Sequence, residues 1–300
     1  MPLTVRRLAF SIALAAAMSG AAIDRAEAGR QGRVARLTRP RPGSAAARRQ
    51  ARQVVRTAAT RTLRPKAIIR PRRVVQPGAN PIAALPRAGG KRTRIVFGVM
   101  GGAGEQTPPA LDDAMEVIGT RIAQRGHVTL TGACPGLPES AARGARSAGG
   151  LTVGISSYRT LDEHIASGSP TDFDVLQVTD LPLAHQGQDR PNYMGREIDN
   201  IERSDVIIIA GGRFGTLGEL AIALEEQRPI GVLTGTGGIA DLVKEIVAAS
   251  TKAGKPPGAP VIYDSNPSRL VARLEQAHRN MEKKGGGRRG PLGDGFSVRK

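Results

Sequence analysis

Five consecutive apolar residues, Val206-Ile207-Ile208-Ile209-Ala210, run directly into Gly211-Gly212-Arg213-Phe214-Gly215-Thr216-Leu217-Gly218-Glu219. A short β-branched run bounded by turn residues suits a strand buried on both faces. The glycine pair turns the chain, and a helix is expected from Thr216 to Gln227. Strand, tight turn and helix in that order aim unpaired backbone N–H groups and the positive helix end at the turn. Such a turn is a natural seat for phosphate. Gly211, Gly212, Arg213, Gly215 and Thr216 are therefore candidate phosphate contacts, with Thr216 able to cap the helix or reach a phosphate oxygen. Glu219 lies in the first helical turn, where an acid also complements the helix dipole.

The same cycle recurs along the chain. Ile95 to Met100 is an apolar run ending in Gly101-Gly102-Ala103-Gly104, and Pro108 and Pro109 open a helix through Arg125. Strand Val128 to Thr131 leads into Gly132-Ala133-Cys134-Pro135-Gly136 and a helix from Leu137 to Ser147. Strands are expected at Leu151 to Ser156, Asp174 to Val178, Ile230 to Leu233 and Val261 to Tyr263. Helices are expected at Asn192 to Glu202, Ile239 to Ala249 and Pro267 to Lys284, with a polar stretch before Asp174 and a loop to Gln188. This alternation predicts right-handed βαβ crossovers, hence a doubly wound, mostly parallel α/β sheet of Rossmann-like type with helices on both faces. Ligands of such sheets sit beyond the carboxyl ends of the strands. Gly101, Gly102, Gly132 and Gly136 all follow strands, so they join the candidate binding residues at one edge.

Charge separates this region from its ends. The formal net charge is +18. Residues 1–94 hold 22 Lys+Arg against 2 Asp+Glu, and residues 281–300 hold 6 against 2. Residues 95–280 hold 16 against 22, so the folding part is mildly acidic and the basic excess belongs to the ends. A polyanion steered by this charge meets a tail, not the site. Residues 1–28 carry Arg6-Arg7, a 13-residue apolar run and Ala26-Glu27-Ala28, the pattern of a secretory signal. It implies export to a periplasmic or extracellular space; the alternative is a cytoplasmic protein with an Arg- and Ala-rich extension. Residues 29–93, rich in Arg, Ala and Pro, are expected to be a disordered basic tail open to non-specific polyanion contact. Residues 285–300 are expected to be a second flexible basic end.

Cys134 is the only cysteine, which excludes an intrachain disulfide and a CxxC metal site. The four histidines lack metal-ligand spacing, so no metal and no cofactor is called for. Cys134 is expected to be a small filler in its loop, Glu139 a first-turn helix acid and His164 a solvent-facing loop residue. Gly235, Gly237 and Gly238 are read as a plain turn.

The run GGRFGTLGE resembles the PGGxGTxxE motif of the LOG-like proteins, once widely mislabelled lysine decarboxylases. Arg196, in Met194-Gly195-Arg196, precedes Glu219 by 23 residues, as the family's essential arginine precedes its essential glutamate. Asp205 fits the same pattern, and TGACPGLPESAARGA resembles the family's second glycine-rich loop. The resemblance covers residues 94–250 and is most specific from Arg196 to Glu219. It implies a nucleotide-binding domain over 94–284, a homodimer, and phosphoribohydrolase activity on a nucleoside 5′-monophosphate, releasing free base and ribose 5-phosphate. Characterised members release cytokinin bases in this way. Gly211 replaces the motif's proline, Arg213 its second glycine, and Glu197 a usual lysine; the loop TGACPG lacks the usual glycine run. These departures resemble a sister branch that includes molybdenum-cofactor carriers, so the alternative is a protein that binds a nucleotide or related phosphorylated small molecule without hydrolysing it.

Arg196 and Glu219 are the candidate catalytic pair. Breaking an N-glycosidic bond builds positive charge on the ribose, which a carboxylate stabilises while orienting or deprotonating water. An arginine holds phosphate or polarises the leaving base. The competing reading of the pair is an ordinary ion pair between neighbouring helices.

Overall fold

The computed structural model describes residues 69–85, 94–104, 107–180 and 191–284. The expectations for residues 1–28, for most of the basic tail, for the loop before Gln188 and for 285–300 lie outside those residues. Eight strands are described: β1 (Arg73–Val75), β2 (Val96–Gly101), β3 (Val128–Thr131), β4 (Leu151–Ile155), β5 (Val175–Gln177), β6 (Val206–Ala210), β7 (Ile230–Leu233) and β8 (Val261–Asp264). Seven helices accompany them: α1 (Pro109–Gln124), α2 (Leu137–Ser147), α3 (Leu161–Ala166), α4 (Tyr193–Glu202), α5 (Phe214–Glu225), α6 (Gly238–Lys252) and α7 (Pro267–Lys283).

The strands form one sheet in the order β1-β5-β4-β3-β2-β6-β7-β8, and every described pairing is parallel. From β2 the chain winds outward through β3, β4 and β5, then returns to lay β6 on the other side of β2. The switch point is therefore the β2–β6 junction, and a crevice opens beyond its carboxyl ends. Alternation along β6 explains why the sheet is covered twice. Ile207 and Ile209 enter the apolar cluster containing Leu130, Val153 and Val232, while Val206 and Ile208 enter the one containing Phe97, Met115 and Ile118. All five β6 residues are buried, as a strand between two helical layers requires.

Caps locate the helix starts. Asn192 accepts the Gly195 N–H ahead of α4, Thr160 the Glu163 N–H ahead of α3, and Asn266 the Arg269 N–H ahead of α7. Pro109 stands at the first position of α1, where its missing N–H is harmless.

Two expectations are corrected. The basic tail was bounded at residue 93, but β1 lies inside it and pairs with β5. The Arg72 and Arg73 N–H groups donate to the Phe173 and Asp174 carbonyls, and the Val178 N–H donates to Val75. The buried Asp174 carboxylate receives Arg72 and Arg146 at 3.1 Å each, so a basic side chain of that segment fastens the sheet edge. Leu85 is buried in the core. The polar stretch before Asp174 also contains α3. Its His164 is 1% exposed rather than solvent-facing, paired with Ser156 Oγ at 2.9 Å and the Pro170 carbonyl at 2.8 Å. Burial lowers the pKa of this imidazole. Neutral, it bonds with both ring nitrogens, which closes the end of β4.

Candidate functional site

Beyond the β2–β6 junction lies a small cleft of about 100 Å³. Of the residues singled out from the sequence, Gly101, Gly132, Arg196, Arg213, Gly215, Thr216 and Glu219 line it, together with Cys134 and Pro138. Gly102, Gly136, Gly211 and Gly212 stand behind it and hold the loops together. The Leu137 N–H donates to the Gly102 carbonyl at 3.0 Å, and Gly136 bridges Ala103.

The β6–α5 turn is built by its neighbour. Gly212 has φ 91°, and a Cβ there would lie 2.3 Å from Thr216 Oγ1, so only glycine fits. The Gly211 N–H, expected to face phosphate, donates instead to Thr236 Oγ1 at 2.8 Å. The Ile239 and Ala240 N–H groups donate to the Gly212 and Gly211 carbonyls. The segment read as a plain turn thus buttresses the site loop. Helix α5 begins at Phe214, two residues before the expected start, with Arg213 as N-cap and no side-chain cap bond. Thr216 therefore falls inside the first turn and does not cap it. The first backbone bond of α5 runs from the Leu217 N–H to the Arg213 carbonyl, so the preceding N–H groups have no acceptor within the helix. Gly215 and Thr216 bring that positive end to the cleft wall. The Arg213 guanidinium spans the cleft mouth and donates to the Ala103 carbonyl at 3.0 Å.

Helix α4 supplies the floor. Arg196 and Asn200, one turn apart, share its buried face at 9% and 0% exposure. Arg196 stacks 5.8 Å from the Tyr193 ring centroid. Its Nη2 lies 3.9 Å from Glu197 Oε1, and its Nε is buried with no hydrogen-bond partner. Both side chains press against Gly132: a Cβ there would fall 3.1 Å from Asn200 Nδ2 and 3.2 Å from Arg196 Cζ.

Glu219, 5% exposed, accepts a 2.8 Å hydrogen bond from Asn200 Nδ2 on Oε1. Burial pushes its carboxyl up to about 7, against the opposing pull of Arg196 and Asn200. A carboxyl that ionises near neutrality can both take and return a proton at physiological pH. Cys134 sits in the same cleft, where burial pushes its thiol up and away from nucleophilic reactivity. Glu139 is in the first turn of α2. Asn200 was not singled out from sequence; its four-residue spacing from Arg196 was the available signal.

The SLOG cluster4 family model matches residues 94–271. An uncharacterized protein of Archaeoglobus fulgidus is 34% identical over 117 residues, covering 39% of this chain and 66% of that relative, just under two thirds of its length. Among solved structures, the chain is similar to the molybdenum cofactor binding protein of Rippkaea orientalis, with 28% identity, 62% of this chain and 98% of that one covered, and a TM-score of 0.48. It is also similar to the molybdenum cofactor carrier protein of Chlamydomonas reinhardtii, with 28% identity, 62% and 98% coverage, and a TM-score of 0.46. With the family model spanning more than half of its length, the chain belongs to the SLOG cluster4 family.

Proposed function

We propose that the cleft binds a nucleoside 5′-monophosphate or a close phosphorylated analogue, and that Glu219 and Arg196 hydrolyse its N-glycosidic bond. The supporting observation is one side chain: a buried carboxyl on the cleft wall, beside a buried arginine, that ionises at about pH 7. The phosphate sits against the start of α5, where Gly215 and Thr216 present backbone N–H groups. Arg196, on the cleft wall, brings its positive charge to the ligand. As the bond from ribose C1′ to the base nitrogen breaks, the Glu219 carboxylate stabilises the growing positive charge. It then takes a proton from the water that adds to C1′ and returns it to the departing base nitrogen. The products are free base and ribose 5-phosphate.

The test is a panel of nucleoside monophosphates incubated with purified protein, read by base release and run beside Glu219→Gln and Arg196→Ala. Turnover by the wild type that both substitutions abolish supports the reading. A ligand that binds tightly, emerges unchanged and binds Glu219→Gln equally well contradicts it and assigns the cleft to holding, not hydrolysis.

A further inference from the structure

Asn200 is fully buried, yet its Oδ1 has no hydrogen-bond partner. A leucine of similar size would fill the same space without an unsatisfied acceptor, so packing alone does not favour asparagine there. Among the described residues its one side-chain bond is the 2.8 Å donation from Nδ2 to Glu219 Oε1. Its main-chain carbonyl accepts from Ser204 Oγ at 2.7 Å, which braces this turn of α4, and the amide lies beside Gly132, where an added Cβ would fall 3.1 Å from Nδ2.

We propose that Asn200 is the positioning residue for Glu219, tying Oε1 so that Oε2 is the oxygen offered to the ligand. The assignment rests on Glu219 being the reactive acid. The charged and titratable groups acting on Glu219 are Arg196 and Glu197 from α4, with Cys134 contributing from the β3–α2 loop. Arg196 favours the ionised form and Glu197 opposes it. The Asn200 amide also favours the ionised form, because an N–H donor stabilises a carboxylate more than a carboxylic acid. Removing it has two consequences that a purely structural residue would not produce. The Glu219 titration moves to higher pH, and the pH–rate profile moves with it.

The experiment is a carboxyl-carbon NMR titration of Glu219 in the ligand-free protein, comparing wild type with Asn200→Leu and Asn200→Ala. The expected result is an upward displacement of the Glu219 midpoint by about one pH unit, a tenfold change in its protonation equilibrium, in whichever variant retains the wild-type circular dichroism. An unchanged midpoint in a folded variant overturns the assignment, as does the same displacement in Ser204→Ala, which leaves the amide in place. Because this readout needs no turnover, it separates the two ideas. A displaced midpoint without any base release from the wild type sinks the hydrolysis and keeps Asn200 as the group that sets Glu219.

Discussion

Two helical glutamates, Glu219 and Glu275, each expose little surface, at 5% and 8%, but Glu219 lies the deeper of the two, and their carboxyls behave oppositely. Burial pushes both carboxyls up. At Glu275 that push is overcome by hydrogen bonds from Arg125 and Arg279, with the His127 ring 3.2 Å away, and its pKa falls to about 2. At Glu219, among the described residues, the one hydrogen bond comes from the Asn200 amide, the guanidinium of Arg196 acts without a direct ion pair, and the carboxyl stays near 7. Depth of burial raises an acid's pKa, and the donors closed around it bring it down again. Glu275 ties α7 to the start of β3, at the end of the sheet away from the cleft. Glu219 is left under-satisfied where a ligand can reach it.

That contrast can be broken in several ways. The largest effect is on catalysis: Glu219→Gln and Arg196→Ala should each lower base release by roughly 10²–10⁴-fold, whereas Glu275→Gln should leave it unchanged. Equal losses at the two glutamates in a steady-state assay would erase the distinction.

The next effect is on stability against pH, and the two acids pull in opposite directions. Glu219 keeps its proton in the native state between about pH 4.5 and about 7, where the unfolded chain has released it. Stability therefore falls as pH rises through that window. Glu219→Gln should stabilise the protein at pH 8 by about 2–3 kcal/mol relative to its effect at pH 5, measured by denaturant melts at both values. Glu275 contributes stability that is present above its ordinary pKa and lost as pH falls from about 4.5 toward about 2. Its partner Arg125 is half-exposed, so the network is screened. Glu275→Gln should destabilise by about 1–2 kcal/mol at pH 7, seen as a lower Tm with ligand affinity intact.

A smaller effect sharpens the geometry of the cleft. Gly132→Ala places a methyl group 3.1–3.2 Å from Asn200 Nδ2 and the Arg196 guanidinium, both of which can shift a little. It should weaken ligand binding about tenfold, as read by calorimetry, while changing stability by less than about 1 kcal/mol.

Much of this molecule was legible before its coordinates. β6 announced itself as five apolar residues in a row, because a strand covered by helices on both faces has no side that must be polar. Arg196 and Glu219 could be paired from their motif alone, and the structure brings both to one cleft. Other parts were hidden for physical reasons. β1 has only three residues, set among arginines and prolines that read as disorder, and its stability comes from partners a hundred residues away on β5. His164 looked exposed because its neighbours are polar, whereas its two ring nitrogens are satisfied by groups brought together only by the fold. The support given to Gly211 by Thr236 also crosses between strands and leaves no local pattern.

The central claim is that Glu219, not merely any buried acid, is poised to exchange a proton near neutrality. Carboxyl-carbon NMR titration of the wild-type protein, following Glu219 and Glu275 in one experiment, tests it most directly. The account predicts a Glu219 midpoint at about 7 and a Glu275 midpoint at about 2. A Glu219 midpoint in the ordinary glutamate range, about 4.3, would contradict it.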